Sequence, residues 1–285
     1  MEVGGAVTTM RWYPAPAKLN LFLHVLGRRA DGMHLLQTVF RFIDLEDRVS
    51  LAVRDDGGIV RRDPLPGVAP EDDLCVRAAR LLKAETGSPL GAEIALEKVI
   101  PMGGGLGGGS SDAATVLLAL NALWGTQVPR QRLMEIGVRL GADVPVFVGG
   151  ENALGEGIGE QLRPVSLPSA WYLVLVPQVA VSTKEIFIDP ALTRDTKALK
   201  IPPFLPGLGH NDLEGVVLRR YPEVARHLEW LRGRVPGARM SGSGACVFGE
   251  FESEAAAREA HVTLPGSMQG MVVRGLECHP LRGGV

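Results

Sequence analysis

The sequence predicts an α+β fold in two domains, and three observations support this. Strand-like alternation is concentrated before Ile100, helix and strand patterns mix after it, and clean strand-helix-strand alternations are few, which argues against a doubly wound parallel sheet. The chain has 285 residues, 46% hydrophobic and 22% charged, enough for two ordinary domains and too apolar for a disordered chain. A glycine-rich tract at 149–159 separates the two patterns and serves as the boundary, giving domains 10–158 and 159–285.

The strand pattern starts only after Met10, so the first nine residues are read as either a disordered extension or an over-called start. Leu19, Leu21, Leu23 and Val25 alternate with other side chains, the period of a strand, and turn residues 28–32 close it. Two further strands, 38–43 and 48–53, are separated by an acidic turn at 44–47, and a Gly/Pro-rich loop covers 55–70. Asp72 and Asp73 precede Leu74, Ala78, Leu81 and Leu82, the spacing of one helical face with acid at its N-terminal end. Residues 92–99 return to strand. Ser111 and Asp112 precede a helix, AATVLLALNALW, apolar enough to be buried, and 131–140 is a second helix stopped by Gly141. Past the boundary, 171–176 reads as a strand, 213–221 as a helix, and Pro222 opens another helix running to Trp230. Strands at 245–251 and 272–279 flank a helix at 253–261, and 202–209 is a turn-rich connector.

Composition removes several function classes. A net charge of -2 lacks the basic excess of a non-specific nucleic-acid binder. Cys75, Cys246 and Cys278 form no CxxC pair and no disulfide framework, so they read as reduced structural thiols. The longest apolar stretch, 171–181, is broken by Pro177 and Gln178 and falls short of a membrane span, and the N-terminus lacks a signal-peptide pattern. The expectation is a cytoplasmic protein with no nucleic-acid or membrane partner. A homodimer is left open, because pattern alone does not separate an exposed stripe from core.

The 36 glycines are about one residue in eight, against roughly 7% on average, and six lie between Gly103 and Gly109. The tract IPMGGGLGGGSSDAAT reads as a strand, a glycine loop and a helix start. Glycine permits positive φ and close backbone approach, and a helix N-terminus adds free N–H donors, so together they form an anion cradle suited to phosphate. An ordinary turn would need one or two glycines. Gly103, Gly105 and Gly108 match GxGxxG, but the carboxylate that a dinucleotide site wants about 20 residues on is missing, and no Gly-Lys dipeptide supports a Walker A loop. Lys18 and Asn20, in PAPAKLNLFL, share one strand face, and Asp143 follows a helix-ending turn in GADVPVF. Brought together beside the loop, Asp143 would accept or orient an acceptor hydroxyl and Lys18 would balance developing charge. Taken singly, Lys18 reads as a solvated lysine and Asp143 as a turn or cap residue. MSGSGACVF is either a tight hairpin turn or a loop that closes over phosphates or braces the first.

These motifs, with GMHLLQTVF and HNDLE, stand in the order found in the GHMP kinase superfamily, which the chain resembles from Pro14 to about His279. The resemblance implies an N-terminal ribosomal protein S5 domain 2-like domain and a C-terminal ferredoxin-like α/β domain, with the active site between them. It implies ATP on Pro101, Met102, Gly103, Gly104, Gly105, Leu106, Gly107, Gly108, Gly109, Ser110 and Ser111, with Mg²⁺ as cofactor. It makes Asp143 the base and Lys18 its partner. The wording is most similar to the branch that phosphorylates a cytidine diphosphate-linked methylerythritol, a small-molecule substrate that Asn20, His34, Thr183 and Phe187 would contact. His34 would hydrogen-bond cytosine and Phe187 would stack on it.

Met33 stands where that branch usually has tyrosine, so a thioether is expected against the pyrimidine. Asp112 stands where asparagine is frequent, and Mg²⁺ is expected to screen its charge. Ser111 is the candidate metal ligand. Homoserine- or mevalonate-type kinases, a non-catalytic nucleotide-binding module and a nicotinamide oxidoreductase are the alternatives.

Overall fold

The computed structural model describes residues 9–200 and 207–285, so the expectation for the first eight residues and most of the 202–209 connector fall outside the described residues. The first half contains β1 (Arg11–Arg28), β2 (His34–Arg54), β3 (Ile59–Arg61), α1 (Leu74–Thr86), β4 (Gly91–Glu97), α2 (Gly108–Leu123), α3 (Arg130–Val138), α4 (Val144–Gly149), β5 (Ala153–Glu156) and β6 (Gln161–Pro164). The second contains β7 (Trp171–Leu175), α5 (Thr183–Ile188), α6 (Glu214–Arg220), α7 (Pro222–Arg232), β8 (Arg239–Met240), β9 (Val247–Phe251), α8 (Glu254–Val262) and β10 (Gly270–Arg274).

In the first sheet the order is β3-β4-β2-β5-β6, with β1 antiparallel to β2. In the second it is β10-β7-β9-β8, all antiparallel, the arrangement of a ferredoxin-like split βαβ unit with α7 and α8 as its crossovers. The α+β expectation therefore stands. Among the described residues no helix is long and apolar enough to cross a membrane.

Local chemistry explains the helices. Asp73 caps α1 by accepting from the Cys75 and Val76 N–H groups, and Gly87, at φ 68°, ends it. Ser253 caps α8 and Pro222 opens α7. Every residue of α2 from Ser111 to Leu120 is buried, as a helix apolar on all sides must be. It packs between α1, α4 and the β1–β2 hairpin, so the glycine loop that feeds it is anchored to the first domain's core.

Four expectations need correction. The acidic turn at 44–47 is instead a bulge within one continuous β2: Pro16 pairs with Glu46 and Ala17 with Ile43, so Asp44 and Leu45 have no partners on β1. Asp47 there is fully buried and accepts from the Val99 and Ile100 N–H groups, which holds the entry to the glycine loop. α2 begins at Gly108, so Ser111 and Asp112 lie inside it and do not precede it. The 149–159 tract includes β5, and β6 extends the first sheet to Pro164 by pairing with β5; by sheet membership we propose a division after Pro164. The strand expected at 272–279 ends at Arg274, and the chain then returns to the first domain. Asn152 donates to the Leu276 and Glu277 carbonyls while accepting from Phe42 N–H, and Leu281 joins the first core.

Candidate active site

A cleft of about 840 Å³ lies between the domains, large for a single small-molecule site. Its walls hold Lys18, Asn20, Met33, His34, Asp143, Thr183, Phe187 and the loop from Pro101 to Ser110. Residues from five separate stretches of sequence therefore share one cavity.

β1 sets the floor. With Leu19 and Leu21 in a core on one face, Lys18 and Asn20 point to the other, and both are almost fully buried. The Lys18 ammonium donates to Gly105 O at 3.0 Å and to Asn20 Oδ1, and lies 3.1 Å from Asp143 Oδ2. Three hydrogens for three oxygens hold it in one position. Asn20 is held in turn by donating to Thr38 Oγ1, 2.8 Å away. Asp143 occupies the N-cap position of α4 but makes no cap bond, so its carboxylate turns toward Lys18 instead. Its side chain is 33% exposed, and the cleft can reach it.

The glycine loop could not be built from other residues. Gly105 has φ +74°, and a Cβ there would lie 2.1 Å from Ser241 O; a Cβ on Gly107, also at φ +74°, would lie 3.0 Å from Lys18 Cε. The loop opens into α2, where the N–H groups of Gly108, Gly109 and Ser110 have no acceptor within the helix. The segment MSGSGACVF acts as the brace: Cys246 N–H donates to Gly104 O at 3.1 Å, and Ser241 Oγ donates to Gly105 O at 3.0 Å while accepting from Asn20 N–H.

Ser111 does not face the cleft. It is fully buried and donates to Pro16 O at 2.7 Å, so its hydroxyl ties α2 to β1. Asp112 also differs from expectation, since its charge is met by Lys98, 2.8 Å away, with no need of a metal. Lys98 also pairs with Asp47. Burial pushes the Asp112 carboxyl up to about 7; Lys98 pulls it down and Asp47 adds to the rise. Burial works against the Lys98 charge too, but the two carboxylates outweigh it and hold its pKa above the usual lysine value. One ammonium thus serves two carboxylates, and the cluster retains a proton that an isolated aspartate would release. Among the described residues, no group of three or more His, Cys, Asp or Glu could hold a metal ion.

At the other end of the cleft, His34 and Phe187 lie with ring centroids 4.9 Å apart and planes tilted by 36°. Met33 beside them is exposed, which leaves its thioether free to meet a ligand. Thr183 Oγ1 is 2.7 Å from Ser243 Oγ, which joins the start of α5 to the second glycine turn. Burial, then Arg194 and Arg28, hold the His34 pKa below the usual histidine value.

Sequence reading missed Asp47, Lys98 and Arg194, together with an apolar wall of Leu65, Val68, Leu74 and Leu96 beside the glycine loop. Lys98 carried a usable signal, because a lysine three residues before a glycine-rich anion loop sits at the end of the strand that feeds it.

Residues 73–151 match the GHMP kinases N terminal domain and residues 203–267 the GHMP kinases C terminal domain. A protein of Thiobacillus denitrificans named 4-diphosphocytidyl-2-C-methyl-D-erythritol kinase is 63% identical over 269 residues, which cover 94% of this chain and 96% of that protein. The chain belongs to the 4-diphosphocytidyl-2-C-methyl-D-erythritol kinases, a branch of the GHMP kinases. A crystal structure of 4-(cytidine 5'-diphospho)-2C-methyl-D-erythritol kinase superposes with a TM-score of 0.80 at 37% identity, covering 93% of this chain and 99% of that one. The fold extends further, to a homoserine kinase from Cytophaga hutchinsonii with a TM-score of 0.70 at 18% identity, covering 95% of this chain and 96% of that one.

Proposed function

We propose that this kinase transfers the γ-phosphoryl group of ATP to the 2-hydroxyl of 4-diphosphocytidyl-2-C-methyl-D-erythritol, giving the 2-phosphate and ADP, as the names of its relatives indicate. The observation that carries the reading is the Lys18–Asp143 pair, set at 3.1 Å beside a glycine cradle in a cleft whose far end holds His34 and Phe187. The nucleotide phosphates lie on the loop from Pro101 to Ser110, against the N-terminal donors of α2. The base stacks at the His34–Phe187 end, with Met33 at its edge.

In the transfer, the 2-hydroxyl oxygen forms a bond to the γ-phosphorus while the bond from that phosphorus to the β–γ bridging oxygen breaks, and ADP leaves. The hydroxyl proton passes to Asp143. Lys18, fixed by Gly105 O and Asn20, keeps a positive charge beside the reacting oxygens, and its placement is set before substrate arrives. Mg²⁺ bound with the nucleotide beside the loop from Pro101 to Ser110 would supply charge neutralisation at the phosphates.

The test is an acceptor panel with ATP and Mg²⁺. ADP release with 4-diphosphocytidyl-2-C-methyl-D-erythritol and not with homoserine or mevalonate is expected; turnover of either of those instead would move the chain to another branch.

A further inference from the structure

Four cations line the cleft, Lys18, Arg28, Lys98 and Lys184, and Asp72, Asp73, Asp112 and Asp143 match them in number. The cavity therefore has no general positive charge with which to draw a polyanion, and any cation without a partner counts. Lys18 lies 3.1 Å from Asp143, and Lys98 serves both Asp47 and Asp112. Arg28 donates to Gly32 O at 3.1 Å within its own turn, and its charge opposes protonation of His34, which places it at the aromatic end. Among the described residues the Lys184 ammonium has no hydrogen-bond or ion-pair partner.

The packing of α5 explains where Lys184 points. Ile186 is fully buried in a hydrophobic core and Glu185 lies 3.4 Å from Arg220, and neither lines the cavity. Thr183, Lys184, Phe187 and Ile188 remain, three or four residues apart along the helix, and all of them line the cleft. The carboxylates nearest in sequence, Glu185 and Asp189, are both held by Arg220, so neither competes for the ammonium. Lys184 stands about 4.5 Å along the axis from Phe187. On its other side is Thr183, whose Oγ1 is 2.7 Å from Ser243 Oγ in the turn that braces the glycine loop. It thus lies between the aromatic end of the cleft and the phosphate cradle.

We infer that Lys184 is a further substrate-binding residue, whose ammonium pairs with the diphosphate of the acceptor. This rests on the reading of the cleft as a site for a cytidine diphosphate-linked acceptor. Such an acceptor joins its base to its reacting hydroxyl through the diphosphate, so that charge must cross the stretch between Phe187 and Asp143. Lys184 is the cation available there, since Lys18 is committed to Asp143 and Arg28 sits at the base end. An ammonium on a long flexible stem suits the task, because it presents three donors as a compact charge and needs no fixed approach angle.

The test compares cytidine with cytidine 5'-diphosphate, which differ by the diphosphate alone, in calorimetric titrations of the full chain. Wild type should bind the diphosphate more tightly than the nucleoside. Lys184→Gln should weaken cytidine diphosphate by about tenfold, the worth of one charge-assisted hydrogen bond, and leave cytidine within about twofold. Lys184→Arg, which keeps the charge, should retain most of the difference. In turnover, the loss in Lys184→Gln should lie in KM for the cytidine-linked acceptor and not in KM for ATP. An equal weakening of cytidine and its diphosphate, or a rise confined to KM for ATP, would overturn the inference. Binding of both ligands by wild type, with no loss in Lys184→Gln, removes the inference and leaves the proposed function standing. If wild type binds neither cytidine nor its diphosphate, the proposed function fails and the inference falls with it.

Discussion

Replacing Asp112 with asparagine should change how stability depends on pH, and the structure sets the sign. The Asp112 carboxyl is buried beside Lys98 and Asp47, and its pKa is raised from 3.8 to about 7. A raised pKa means that between these two values the native protein keeps a proton that the unfolded chain has released. The stability it contributes is fully present below pH 3.8 and is lost as pH rises through about 7. At about 1.4 kcal/mol per pH unit the whole effect is on the order of 4 kcal/mol, and the part lost between pH 5 and 8 is about 3 kcal/mol. Asparagine resembles the protonated acid in shape and can still accept from Lys98. Asp112→Asn should therefore match wild type below pH 3.8, exceed it by about 1.5 kcal/mol at pH 5 and by about 4 kcal/mol at pH 8. Urea unfolding at these pH values measures this. Unfolding free energies that run parallel for the two proteins from pH 5 to 8 would refute the shared-lysine account.

Other expectations follow from the same geometry. Gly105→Ala forces a Cβ to 2.1 Å from the Ser241 carbonyl at positive φ and should cost more than about 3 kcal/mol, whereas Gly103→Ala, with φ +68° but open space, should cost only about 1 to 2 kcal/mol; urea titrations of the pair compare them. Lys18→Met should lower kcat by about 10²- to 10⁴-fold while leaving ATP affinity nearly unchanged, which single-turnover and nucleotide-binding measurements separate. Burial, with Arg130 adding to it, pushes the His279 pKa down from 6.5 to about 4, so its stability contribution is intact above 6.5 and is lost as pH falls through about 4. His279→Leu should remove about 3 kcal/mol of acid sensitivity across that window, read as a flatter acid limb in unfolding experiments.

Much of the site could be read from local pattern, because the chemistry there depends on backbone. The glycine loop was legible since positive φ at Gly105 and Gly107 restricts those positions to one residue type, and Lys18 with Asn20 since a two-residue spacing sets their common face. Helix starts at Asp73 and Ser253 were legible for the same reason, since a cap is a bond between neighbours in sequence. What escaped depends on distant partners. Asp47 looked like a turn residue because its role is to accept from Val99 and Ile100, and the bulge that buries it appears only when β1 is paired beside β2. Ser111 and Asp112 had helix-start chemistry, yet one bonds to Pro16 and the other to Lys98, partners distant in sequence. The return of the C-terminal residues to the first core runs through Asn152, whose three bonds join segments far apart in sequence. Arg194 lies in a stretch without periodicity, and nothing nearby marks its link to His34.

The central claim is that Asp143, held by Lys18, takes the proton of the acceptor hydroxyl during phosphoryl transfer. The most direct test is single-turnover transfer by wild type and Asp143→Asn, with ATP and 4-diphosphocytidyl-2-C-methyl-D-erythritol bound in excess of their dissociation constants and the product identified by ³¹P NMR. The account predicts the 2-phosphate from wild type and a rate lower by about 10²-fold or more for the variant, with both ligands still bound. Equal rates for the two proteins, or phosphate on another oxygen, would contradict it.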